Sequence, residues 1–249
     1  MTLRSAICFF AHPDDETGLA GGLIHMLVQR GVRVTVVCAT RGEGGELGEP
    51  PAATRATLGA VREAELRCAA QALGATLHLL DYIDPVVGPD DVLYPFDADP
   101  SALAGLFARL ARGYDLILTH GGDGEYGHPA HQQINRAVLR GIPVSDPKAL
   151  VYTVAAAVPN IEDFLWNKTE RAHFALDIRP WSAAKLAAME CHRTQHALFL
   201  RDQKLEHLRD ALRTVESVRR QNPPVPPGEL PQDAFADLLQ IVGAWTPRD

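Results

Sequence analysis

Residues 6–16 read Ala6-Ile7-Cys8-Phe9-Phe10-Ala11-His12-Pro13-Asp14-Asp15-Glu16, an apolar run that passes directly into a histidine and three carboxylates. Ala6–Phe10 has the length and character of a buried strand. Behind it, Leu19, Leu23, Met26 and Leu27 repeat at helical spacing, Gly31 ends that helix, and Val32–Ala39 is rich in the β-branched residues of a second strand. The order strand, turn, helix, strand places the carboxylates at the carboxyl end of the first strand. Negative charge packed against a core is costly unless something positive neutralises it. Histidine nitrogen with carboxylate oxygen suits a divalent ion such as zinc.

The alternation continues along the chain. A glycine- and acid-rich loop (40–51) leads to a helix with Val61, Ala64, Cys68 and Ala72 on its expected apolar face, and Leu77–Leu80 forms a third strand. Asp99-Pro100 reads as a helix cap with proline at the first helical position. The helix that follows carries Leu103, Leu106, Phe107 and Leu110, and Leu116–Leu118 and Leu150–Val154 supply strands four and five. The pattern is that of an α/β fold, a Rossmann-like doubly wound and mostly parallel sheet of order 3-2-1-4-5 with helices on both faces. Residues 182–198 and 202–219 are predicted helices, forming with the last helix (Phe235, Leu238, Leu239, Val242) a helical C-terminal extension. Gln221–Gln232 holds five prolines and cannot be helical. The expected organisation is one domain over 1–220, with 221–249 as a proline-rich strap and a C-terminal helix packed on it.

In such sheets ligands sit beyond the carboxyl ends of the strands where the winding reverses, between strands 1 and 4 here. After strand 4 the chain reads Thr119-His120-Gly121-Gly122-Asp123-Gly124-Glu125-Tyr126-Gly127-His128-Pro129-Ala130-His131. Pro129 suits a helix start, so His128 and His131 share a face and project toward the crevice that holds His12 and Asp15.

Ala11–Glu16 together with Gly127–His131 resembles the LmbE-like (PIG-L-type) zinc N-deacetylases, which hydrolyse the acetamide of N-acetylglucosaminyl conjugates. Thr40-Arg41-Gly42-Glu43, Arg62, and Lys185 with His192-Arg193-Thr194-Gln195 extend the likeness over most of the chain. The resemblance implies that His12, Asp15 and His131 bind Zn2+ (or Fe2+ or another divalent ion in the cell). It implies Asp14 as general base, a protonated His128 at the oxyanion, and Tyr126 near the reacting carbonyl. Arg62 would contact the part of the substrate beyond the sugar, with Arg41 and Glu43 shaping the pocket. Ala130 stands where family members often carry aspartate, and Asp123 or Glu125 would then supply a carboxylate to His128. The implied partner is a small N-acetylated sugar conjugate.

Other classes fit less well. A dinucleotide-binding module needs a glycine fingerprint after strand 1, where this chain has His-Pro-Asp-Asp-Glu. A metal-dependent phosphoesterase needs a second metal cluster, which only Asp123 or His120 could complete. A non-catalytic sugar-binding member would have lost a ligand or the base, and all are present. The net charge of −7 argues against nucleic acid. No apolar run approaches the ~20 residues that cross a bilayer, so no membrane insertion is expected. The four cysteines (Cys8, Cys38, Cys68, Cys191) lack metal-binding spacing and read as buried free thiols of a cytoplasmic protein. A symmetric homo-oligomer is compatible with this reading.

Overall fold

The computed structural model describes residues 2–201 and 204–247. Its elements are β1 (Ser5–Phe10), α1 (Asp15–Gln29), β2 (Arg33–Thr40), α2 (Leu58–Leu73), β3 (Thr76–Tyr82), α3 (Pro100–Leu110), β4 (Leu116–Thr119), α4 (Pro129–Ser145), β5 (Leu150–Val154), β6 (Ala156–Ala157), β7 (Asn167–Arg171), β8 (Phe174–Asp177), α5 (Ser182–Cys191), α6 (His196–Arg201), β9 (Val215–Asn222) and α7 (Ala234–Ile241). The main sheet has the order β3-β2-β1-β4-β5-β9-β8. Its first five strands are parallel in the expected 3-2-1-4-5 arrangement, and β9 and β8 add antiparallel to β5.

β1 is buried at every position, as a central parallel strand covered on both faces must be. Its two-residue period divides it between two cores. Ala6, Cys8 and Phe10 join the cluster that includes α1 and α7, whereas Ile7 and Phe9, with the following Ala11, join the cluster under α3 and α4. Asp99 caps α3 as read from the sequence, accepting from the N–H groups of Ser101 and Ala102 at 3.0 and 2.7 Å.

The C-terminal third departs from expectation. The predicted helix over 182–198 breaks at His192, and that over 202–219 is replaced by turns and then by strand β9. Residues 202 and 203 lie outside the described residues. Leu205, Leu208 and Leu212 mimic helical spacing, but none is fully buried, so no core face holds a helix together there. β9 instead buries Glu216, Ser217 and Val218 consecutively, which a strand inside a covered sheet does and an amphipathic helix does not. The expected boundary at 220 falls within this strand. Asp233 caps α7 and also receives the Tyr152 hydroxyl at 2.7 Å.

Two further corrections concern α2. Its buried face is Leu58, Arg62, Glu65, Leu66, Ala69 and Leu73, not the face through Ala64 and Cys68. A hydrophobic-period reading excludes Arg62 and Glu65 from the interior, so it selects the wrong face. Cys68, exposed on that helix, forms a disulfide with Cys191 and ties α2 to α5, while Cys8 and Cys38 are free and buried as expected.

Glu216 explains how α1 reaches the crevice. The helix is broken at Ala20 (φ −145°, ψ 15°). The N–H groups of Gly22 and Leu23 donate to the Glu216 carboxylate at 2.9 and 2.7 Å, and Lys185 Nζ donates to the Gly18 carbonyl at 3.1 Å and to Glu216 at 2.7 Å. Both charged side chains are almost fully buried. A buried pair of this kind stitches the break closed, and removing one member strands the other. Glu216→Ala is therefore expected to cost about 3–5 kcal/mol in urea unfolding, and Lys185→Met combined with Glu216→Leu to recover a large part of it.

Candidate metal centre and active site

The turn after β1 carries the densest chemistry. Asp14 adopts a left-handed backbone (φ 107°, ψ −27°), a conformation that costs a non-glycine residue on the order of 1–3 kcal/mol. Its surroundings hold it there. Glu16 accepts from the Asp14 N–H at 3.0 Å, and the Asp14 carbonyl accepts from Gly18 N at 2.7 Å. Arg62 donates to the carbonyls of Pro13 and Gly42 and lies 3.4 Å from the Asp14 carboxylate. Gly42 and Gly45 make room for it, since a Cβ at either would lie 2.2 or 2.3 Å from the guanidinium.

His12, Asp15 and His131 converge. His12 Nδ1 and His131 Nε2 are 3.2 Å apart, and the Asp15 oxygens lie 3.2 Å from His131 and 3.5 Å from His12. Tetrahedral zinc with bonds of about 2.0–2.1 Å places its ligand atoms about 3.3–3.4 Å apart, so the spacing fits the ion. Each imidazole is backed by a carboxylate. His12 Nε2 faces Asp84 at 3.2 Å, and His131 Nδ1 faces Glu125 at 2.6 Å. Such partners orient a ligating ring and fix its tautomer. Burial disfavours a charged His12, yet Asp84 and Asp15 outweigh it and raise the ring to about 9. The spot favours positive charge, whether a proton or a metal ion supplies it.

Among the described residues, two groups of three offer convergent donors: His12, His128 and His131, and Asp15, His120 and His131. The groups share His131 and make one centre rather than two. His120 is already engaged, since its Nε2 accepts from Ala11 N at 3.1 Å and its Nδ1 faces Glu125 at 3.0 Å. Asp123 is committed to Thr169. The additional ligands that a second metal would require are therefore spent elsewhere.

His128 is the N-cap of α4, its Nδ1 accepting from Ala130 N at 3.2 Å. A ring that accepts at Nδ1 carries its proton on Nε2 and is neutral. Burial, then His12 and His131, push its pKa down to about 2, so the expected protonated His128 is replaced by a neutral N–H donor. Neither Asp123 nor Glu125 reaches it. Glu125 serves His120 and His131 and also accepts from Gly121 N and Asn167. Burial would raise the Asp14 carboxyl more than Arg62 lowers it, and it sits at about 6. Tyr126 stands edge-on to His128 and His131, with ring centroids 5.7 and 5.5 Å away.

These groups line a cavity of about 660 Å³. The loops 40–52, 81–98 and 155–170 contribute to it, and so do Lys185, Met189, Leu198 and Phe199 from the C-terminal helices. Arg41 and Glu43 do not line it. Arg41 pairs with Glu63 and Asp81, and Glu43 accepts from Asp84 N. Arg62 lines the cavity, but its Nη2 bonds the Pro13–Asp14 turn and its Nη1 the Gly42 carbonyl. Asp84 was missed because no motif marks it in its loop.

Residues 7–142 match a family model described as PIG-L, GlcNAc-PI de-N-acetylase. The chain belongs to the PIG-L family of de-N-acetylases. It is 33% identical over 222 residues to the 1D-myo-inositol 2-acetamido-2-deoxy-alpha-D-glucopyranoside deacetylase of Mycobacterium sp. (strain KMS), covering 74% of this chain and 72% of that one. A probable N-acetyl-alpha-D-glucosaminyl L-malate deacetylase 2 of Bacillus anthracis is 29% identical, covering 88% and 93%. The 4-carboxy-2-hydroxymuconate hydratase of Pseudomonas putida KT2440 superposes with a TM-score of 0.58 at 23% identity, covering 91% of this chain and 100% of that one. The last likeness shows the PIG-L fold alone and carries no reaction.

Two outcomes test this geometry. Glu125→Gln is expected to weaken zinc binding about 10–100-fold in chelator competition, with Asp14→Asn unchanged. Asp14→Gly relieves the left-handed strain and removes a buried carboxylate, so in metal-free protein it is expected to raise the unfolding free energy by about 1 kcal/mol.

Proposed function

We propose that the protein is a zinc-dependent hydrolase that removes the acetyl group from an N-acetylglucosaminyl or similar N-acyl sugar conjugate. One observation carries the reading: three buried donors at tetrahedral spacing, each histidine backed by a carboxylate, with Asp14 held in strain beside them on the cavity wall. His12, Asp15 and His131 would hold the ion, leaving a position open as in catalytic rather than structural sites. When bound, zinc supplies a Lewis acid and a water whose pKa is lowered to roughly 7.

The chain's own groups do the rest. Asp14, its backbone fixed by Glu16 and its carboxylate beside Arg62, accepts a proton from the attacking water and returns it to the departing amine. His128 donates its Nε2–H toward the acetamide oxygen as charge develops there. Tyr126 stands on the same side and adds a second donor. The commitment of His120 and Asp123 to other partners weighs against a two-metal phosphoesterase, and the intact donor set weighs against a binding-only member.

A cytoplasmic location belongs to this proposal, and among the described residues no helix is long and apolar enough to cross a membrane. A reducing compartment would hold Cys68 and Cys191 as thiols.

The test is primary-amine release from a panel of N-acetylglucosamine conjugates by the zinc-loaded protein. Wild type is expected to release amine from at least one member, and Asp14→Asn to lose about 10²–10⁴-fold in kcat while retaining zinc. Equal turnover by the variant would remove Asp14 from the mechanism.

A further inference from the structure

Among the described residues, five of the eleven exposed large apolar side chains fall within residues 83–94: Ile83, Val86, Val87, Val92 and Tyr94. Exposed apolar residues concentrated in this way mark binding sites more often than scattered ones do. Val86, Val87, Leu93 and Tyr94 line the cavity that has the metal centre at its floor. Phe164, itself 48% exposed, lines the same cavity with Leu165, Leu198 and Phe199.

The apolar wall is indexed to the metal centre. Asp84 faces His12 at 3.2 Å and donates its N–H to Glu43 at 3.1 Å, and the apolar residues follow directly. Gly44 lies so close that a Cβ there would be 1.9 Å from the Pro85 carbonyl oxygen. The wall begins one residue from the partner of a metal ligand, so its distance from the reacting centre is fixed.

Most of the charge lining the cavity is paired within the protein. The cations that line it are Arg55, Arg62, Lys185 and Arg213. Arg55 is bonded to the carbonyls of Glu43 and Gly45, Arg62 to the Pro13–Asp14 turn, Lys185 to Glu216 and Arg213 to Asp163. Glu46 and Asp91 line it beside Asp14, Asp15 and Asp84. Among the lining carboxylates Glu46 pairs with Arg201 and Asp14 with Arg62, and Arg55 is bonded to carbonyls alone, so an anionic group beyond the sugar would find that one cation, whereas an uncharged apolar group would bury surface against Val86, Val87, Tyr94 and Phe164.

We propose that this wall is a subsite for an uncharged, apolar aglycone, so that the substrate is an N-acetylated sugar bearing an alkyl or aryl group. The inference rests on the proposed deacetylase reading for the sugar, and on the cavity alone for the apolar group.

The experiment is titration calorimetry of the zinc-loaded protein with hexyl and methyl β-D-glucosaminides. It compares wild type with Val87→Asp and Phe164→Ser, both at exposed positions outside the catalytic groups. Wild type is expected to bind the hexyl compound about tenfold or more tightly than the methyl one. Each variant should lose most of that preference and keep its methyl affinity. Equal affinities in wild type, preference retained in both variants, or tighter binding of a glucosaminyl malate would overturn the subsite. Amine release from the panel of N-acetylglucosamine conjugates separates the two readings. Release without hexyl preference removes the subsite alone, hexyl preference without release removes the deacetylase reading alone, and neither removes both.

Discussion

Buried negative charge at the carboxyl ends of β1 and β4 is the constraint to which the rest of the structure answers. Asp15, Glu16, Asp84 and Glu125 are all buried within one crevice. None could be left there without donors. His12, His120 and His131 face three of them, and His192 faces Glu16 at 2.8 Å. Distant parts of the chain are recruited to complete the set. Asn167 at the start of β7 donates to Glu125, and a Cβ at Gly121 would lie 2.0 Å from its side chain, so a glycine is required for that approach. α5 ends at His192, the residue that faces Glu16. Networks of this kind seldom improve on an apolar core in stability, so their place in the fold is explained by the charge they hold ready for a cation.

The same constraint decides what the sequence reveals. β1, the following turn and α1 were legible because the apolar run, the helical period and the acidic cluster are contiguous. The pair His128 and His131 was legible because Pro129 fixes where their helix starts. The inward face of α2 was not, because Arg62 and Glu65 look like solvent-facing charges until their partners are known. Those partners are Pro13, Gly42 and Asp14 for one and Thr194 for the other, all remote in sequence. β9 was misread for a related reason. Glu216 is buried against Lys185 and α1, so the strand lacks the apolar signature of its position. Long-range pairing of charges is invisible to a periodicity argument, and this fold uses it repeatedly.

The start of α4 shows how a helix terminus can set a tautomer without a carboxylate. Among the described residues no acidic hydrogen-bond partner reaches the His128 ring, and its Nδ1 is occupied by the first free N–H of α4. The helix terminus thus does for the tautomer what a carboxylate would do, with the opposite effect on charge. A carboxylate favours the imidazolium, whereas an N–H donor and the positive end of a helix disfavour it. The ring that results is a neutral donor whose proton position is fixed before substrate arrives.

A neutral donor and an apolar wall belong to the same physical design. The cavity floor concentrates carboxylates and imidazoles, while its mouth is lined by Val86, Val87, Tyr94 and Phe164. An apolar group seated at that mouth displaces water and lowers the local dielectric, which strengthens every charge–dipole interaction at the floor. A protonated His128 would then add to the positive charge already invited by His12, Asp15 and His131, and its repulsion would grow as water left. A neutral ring avoids that conflict, and its N–H gains in strength toward a developing oxyanion for the same reason. An apolar group that filled the mouth would therefore act on the chemistry at the floor without touching any of the reacting atoms.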